Sequence, residues 1–169
     1  WRIPITLMKQ NNYDNAEQAF EDIVNDSRFR DEPIHWRAWF WKIFTLELRD
    51  DNREAYQQYL NLAQKCKQAL PLDVKQAMIK NDPIPEKHKG MAKIYLEATY
   101  RGYVNMAISG KVGDARDEFD DLSEKSSKME KAIGIIGLAI CDVIEIANAG
   151  ELNKENLNKL DKARLKLAE

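Results

Sequence analysis

Three times in this chain a polar or glycine-containing turn is followed by a small alanine and, four residues on, by an aromatic. The copies are Asn11-Asn12-Tyr13-Asp14-Asn15-Ala16 leading to Phe20, Asp50-Asp51-Asn52-Arg53-Glu54-Ala55 leading to Tyr59, and Gly110-Lys111-Val112-Gly113-Asp114-Ala115 leading to Phe119. Residues four apart share a helix face, so the alanine lets a second helix approach closely while the aromatic fills the space beyond it. A single hairpin cannot bury such a face, whereas stacked hairpins can. The pattern therefore predicts an all-α chain of antiparallel helical hairpins, with seven or eight helices.

Helical periodicity runs through the rest of the chain, and alternation with a period of two is absent. A short helix is expected from Ile3 to Gln10. A second is expected to about Asp26, capped by Asp14 and burying Ala16, Ala19, Phe20 and Ile23. Pro33 suits the first turn of a third helix to about Arg49, and Pro71 stops a fourth near Leu70. Residues 71–85 form an irregular insertion with one short helix at Asp73 to Lys80. Further helices are expected from Glu86 to Ser109, from the Gly110 to Gly113 turn to about Lys125, from Lys128 to Ala149, and from Asn153 to the end. The hairpin units thus span about 1–27, 33–70 and 86–125, with closing helices over 128–169.

At 169 residues, 44% of them hydrophobic and 32% charged, the chain is long enough for one domain with a real core. Its net charge of -2 argues against a dominant nucleic-acid role. Lysines crowd positions 65 to 93 and acids crowd 114 to 124, both expected as solvated helix faces. Cys66 and Cys141 lie in apolar helical contexts and are expected to be buried thiols, not a disulfide or metal site. The apolar run from Ala132 to Cys141 is broken by Asp142 and falls short of the roughly 20 residues of a membrane span, so no membrane insertion is expected. The chain opens on Trp1, as an excerpt or processed product does. Its N-terminus gives no evidence of localisation, and a cytoplasmic setting is the working expectation.

The repeated residues resemble the tetratricopeptide repeat, whose pattern is W-x2-L-G-x2-Y, then A-x3-F, then P in 34 residues. The likeness is carried by Tyr13, Ala16, Phe20 and Ile23; by Ala55, Tyr59 and Leu62, with Trp39 and Leu46 ahead of them; and by Gly110, Ala115, Phe119 and Leu122. It is degenerate. The alanine intervals are 39 and 60 residues, Ile43 replaces the family's small residue, and the terminal proline is missing. The resemblance implies a right-handed superhelical array that binds an extended peptide or partner helix on a concave face. Transferred position by position, that face holds Arg37, Phe40, Phe44 and Glu47 in the second unit and Glu97, Tyr100, Val104 and Ala107 in the third. Phe40 with Phe44, and Tyr100 with Val104, occupy the places where chaperone-binding members carry a carboxylate clamp, so the expected groove is apolar with charged edges.

Signals for chemistry are poor. Glu32-Pro33-Ile34-His35 has the Glu-x-x-His spacing of di-iron bundles, which need two such motifs and two further glutamates. His88 has no paired ligand nearby. Asp117, Glu118, Asp120 and Asp121 lack the glycine-containing loop of a calcium site, and Gly110-Lys111-Val112-Gly113 is too short for a phosphate loop. Gly134 and Gly137 are expected to permit close helix packing. No catalytic residue, cofactor or metal is therefore expected, and the chain reads as a non-enzymatic scaffold or adaptor for a protein or peptide. Two alternatives stand beside this: self-association through exposed aromatics and the long helices, and a small-molecule cavity lined by Tyr95, Tyr100 and Tyr103. The Trp36 to Trp41 cluster cannot all face one way on a helix, so at least one of its rings is expected to serve a partner or a second copy.

Overall fold

The computed structural model describes residues 2–30, 32–150 and 158. Among these residues it is all-helical: α1 (Arg2–Lys9), α2 (Tyr13–Asn25), α3 (Pro33–Leu48), α4 (Asn52–Ala69), α5 (Leu72–Lys80), α6 (Glu86–Ile108), α7 (Val112–Ser123) and α8 (Lys128–Ala149), with a 3-10 turn at Ser27–Phe29. The helix expected from Asn153 onward lies outside the described residues. The remaining boundaries fall within about two residues of those expected from sequence. Pro33 does open α3, and the helix before Pro71 ends at Ala69.

The three turns are built alike. Asn11, Asp50 and Gly110 each stand five residues before their alanine and each adopts left-handed backbone, with φ of 56°, 62° and 96°. The following amide reaches back to close the preceding helix: Asn12 N to Leu7 O at 2.9 Å, Asp51 N to Leu46 O at 3.0 Å, and Lys111 N to Met106 O at 3.1 Å. This hydrogen-bond pattern satisfies carbonyls that a helix end leaves open and reverses the chain, and it favours Asn, Asp or Gly at the left-handed position. Asp14 does not cap α2 as expected. Asn12 holds the cap position without a side-chain bond, and Asp14 instead pairs with Arg49 at the end of α3, which also meets Glu17 at 2.8 Å.

Each hairpin packs on the next: α2 on α3, α4 on α6 and α7 on α8, with α3 also touching α6 and α6 touching α8. The alanine and aromatic of all three copies, Ala16 with Phe20, Ala55 with Tyr59 and Ala115 with Phe119, are wholly buried. Ala19 and Ile23, expected inside, are only half-buried. Two core clusters result, one joining α3, α4, α5 and α6, the other joining α6, α7 and α8.

Helix α8 is longer than the apolar run read from the sequence. Across an 18-residue stretch of its 22 residues it reaches a mean hydropathy of 1.9, and it is long and apolar enough to cross a membrane by length and composition alone. Counting only the unbroken run to Cys141 understated it. Its charges are nevertheless used within the fold: Arg116 of α7 meets Asp142 at 2.7 Å and Glu145 at 3.0 Å.

Burial sets a pH response. It pushes the thiols of Cys66 and Cys141 up to about 12 and about 11. The phenols of Tyr59, Tyr95 and Tyr103 also rise, first through burial and then through Glu47, Glu130 and Glu118 beside them. In the unfolded chain these groups ionise at about 8.5 for Cys and about 10 for Tyr, so above about pH 9 the unfolded state loses protons that the native state keeps. Stability from these groups is fully present below that point and is lost as pH rises toward their folded values. Each group adds a slope of about -1.4 kcal/mol per pH unit once its unfolded form is ionised. Urea midpoints measured from neutral to alkaline pH should hold level and then fall; a midpoint that rises with pH contradicts this packing.

Candidate functional site

The face expected from the resemblance does bring Phe40, Phe44 and Glu97 together, in a cleft of about 240 Å³ between α3 and α6 that Arg37 edges, and Glu47 joins them through Arg101. Arg101, which sequence reasoning missed, occupies it. Its Nη1 donates to Glu47 Oε1 at 2.7 Å and its Nε to Glu97 Oε1 at 3.4 Å. The guanidinium lies 4.9 Å from the Phe44 ring centroid and 5.9 Å from that of Phe40. Burial pulls Arg101 down, but Glu47, Tyr59 and Glu97 outweigh it and its pKa is raised. A second bond fixes Glu47, as Tyr59 Oη donates to its Oε2 at 3.0 Å. The cleft is thus floored by aromatic rings and strapped by a held cation. Phe40 itself is 8% exposed and belongs to the core, while Phe44 is half-buried and Arg37 exposed.

Beyond Glu97, the third unit's residues do not extend this cleft. Tyr100 turns toward α8, Val104 packs against the α6–α7–α8 core, and Ala107 is buried in it. Their common spacing was legible, but their direction depends on where α8 docks. Trp36, Trp39 and Trp41 are half-buried against the first core cluster. Trp36 and Trp39 stack at 6.3 Å with planes 11° apart, and Trp41 meets Phe44 edge-on at 5.3 Å. His35 lies edge-on to both Trp36 and Trp39, so the Glu-x-x-His histidine is part of the aromatic packing.

Beside it, sharing Lys93 and Glu97 of α6, lies a larger site that the sequence did not announce. An open groove of about 980 Å³ runs between the end of α5, the loop at 81–84, and the N-terminal halves of α6 and α8. Ala92, Leu96, Ile133 and Ile136 line it, with Met78 and Met129 among its walls. The insertion over 71–85 builds one of those walls. Val74 and Met78 anchor α5 in the core. Asn81, left-handed at φ 58°, turns the chain, and its Oδ1 accepts from the backbone N of Lys128 at 2.8 Å. Ser127 Oγ accepts from Glu130 N at 3.4 Å, so the start of α8 is capped both by its own serine and from the insertion. Tyr95 Oη donates to Glu130 Oε1 at 2.6 Å and ties the same turn to α6.

A sequence signal for this groove lay in Met129 and Ile136, seven residues apart on α8 and exposed at 57% and 38%. Polar groups do not converge on its lining as they do in small-molecule sites. Among the described residues no group of three or more His, Cys, Asp or Glu is disposed to hold a metal ion. The raised thiols of Cys66 and Cys141, both buried, are in the state of inert packing residues rather than nucleophiles. Comparison with known family models, curated proteins and solved structures returned no match to this chain.

Proposed function

We infer that this protein is a non-enzymatic interaction module, a tetratricopeptide-like array of helical hairpins that holds an apolar helical segment of a partner protein. The observation that carries this is the open apolar groove between α5, α6 and α8. An amphipathic helix laid in such a groove buries its apolar face, and the fixed walls lower the ordering cost of association. Methionines at 78 and 129 suit that role, because their flexible side chains adapt to an incoming surface. The array itself is supported by three hairpins with matching turns and buried alanine–aromatic pairs.

The test is affinity capture from a lysate of the source cell with the native protein and an Ile136→Asp variant. Ile136 is 38% exposed, so the substitution should leave helicity intact while placing a charge on the groove lining. A specific partner held by the native protein should be lost by the variant, with at least a tenfold fall in affinity. Equal recovery by both would remove the groove from the function.

A second reading is self-association. It is favoured by the seven-residue spacing of Met129, Ile136 and Val143, which places three exposed apolar side chains along one side of α8. Light scattering across a concentration series separates the two, since a strict monomer leaves only the heterologous partner.

A further inference from the structure

We propose that the partner segment is an acidic amphipathic helix, supplied by a different protein. This rests on the groove being the binding site and adds the sign of its occupant. Lys93 on α6 and Lys128 on α8 both line it, and neither makes an ion pair among the described residues. Lys89, also at the rim, is held by Glu86 at 2.6 Å. Of the two acids that line the groove, Glu97 is engaged by Arg101, leaving Asp82 as the one unpaired carboxylate against two free lysines. The groove also takes in the first turn of α8, where the helix dipole adds positive potential. An apolar floor between two free cations selects a helix whose leucine-like stripe is flanked by Glu or Asp.

The protein's own segments do not answer that description. The acidic helix α7 turns Ala115, Phe119 and Leu122 inward, so a second copy offers acid there without an apolar stripe to insert. The segment 151–169 carries five Lys or Arg against four Asp or Glu, so it is not an acidic segment. The lysines crowded between positions 65 and 93 are therefore in part a recognition feature, since Lys89 and Lys93 come from that crowd.

The test uses two synthetic helical peptides with one leucine stripe, flanked by Glu in the first and by Lys in the second, titrated by fluorescence anisotropy against the full chain. The Glu peptide should bind at least about tenfold more tightly, and its affinity should fall as salt rises. Lys128→Glu, which lines the groove alone, should erase the preference, and Lys93→Glu with Lys128→Glu should reverse it. Circular dichroism checks that these exposed substitutions keep the helices. Ile136→Asp should weaken both peptides. Equal binding of the two peptides, sensitive to Ile136→Asp, would overturn the acidic partner and leave the apolar groove standing. Binding of neither peptide, or binding indifferent to Ile136→Asp, would overturn both. Preference for phosphatidylserine vesicles over the Glu peptide, lost with Lys128→Glu, would also overturn the proposal, by making the anion a lipid surface.

Discussion

Alanine at Gly137 is expected to destabilise the protein by about 3 kcal/mol or more, although alanine is the better helix former by about 1 kcal/mol. A Cβ built on Gly137 would lie 2.0 Å from Phe119 Cδ1 and 2.2 Å from its Cε1. The ring has nowhere to go, because Phe119 is wholly buried and Tyr103 stands edge-on to it at 5.4 Å. Gly134 is tighter in a different way: its Cβ would meet Ser123 N at 2.3 Å and Phe119 O at 2.5 Å, both backbone atoms of α7. Relief at Gly137 requires moving a side chain, whereas relief at Gly134 requires moving a helix. The two clashes can be told apart by a double-mutant cycle. Phe119→Ala alone should cost about 3–5 kcal/mol. In that background Gly137→Ala should become neutral or stabilising, a coupling of about 3 kcal/mol or more, while Gly134→Ala should remain destabilising. Thermal melts followed by circular dichroism give all the values needed. A higher melting temperature for Gly137→Ala in the otherwise native protein would mean that α7 and α8 do not meet as described.

The same contact explains what was readable from the chain and what was not. Ala115 with Phe119 could be assigned to a packed helix face, because residues four apart lie together whatever else surrounds them. The turn residues Asn11, Asp50 and Gly110 were equally legible, since left-handed backbone selects them locally. Asp14 shows the limit of local rules. Its place before an apolar run marks it as a cap, yet a long-range cation, Arg49, takes its carboxylate. Arg101 escaped notice for the same reason: it reaches Glu47, 54 positions away in sequence, and only tertiary packing brings the pair together. The groove depends on three separate segments, α5 with its loop, α6 and α8, and on Asn81 joining the insertion to the start of α8. Periodicity within any one of those helices carries no information about that junction.

Phe40 and Phe44 are expected to separate sharply when each is replaced by alanine. The sequence gives them one role, since they sit four residues apart on α3, but the structure gives them different surroundings. Phe40 packs against Tyr59 with ring centroids 5.5 Å apart and belongs to the core that joins α3, α4 and α6. Its loss should cost about 3–5 kcal/mol. Phe44 is half-buried beneath the Arg101 guanidinium, and its loss should cost about 1–2 kcal/mol, chiefly the cation–π contact and part of its apolar area. Urea denaturation measures both. Partner capture then decides between the two sites, because the folded Phe44→Ala variant leaves Leu96, Ile133 and Ile136 untouched. Its capture should match that of the native protein. If Phe44→Ala loses the partner while Ile136→Asp keeps it, binding belongs to the α3–α6 cleft under Arg101, and the groove beside α8 has some other occupant.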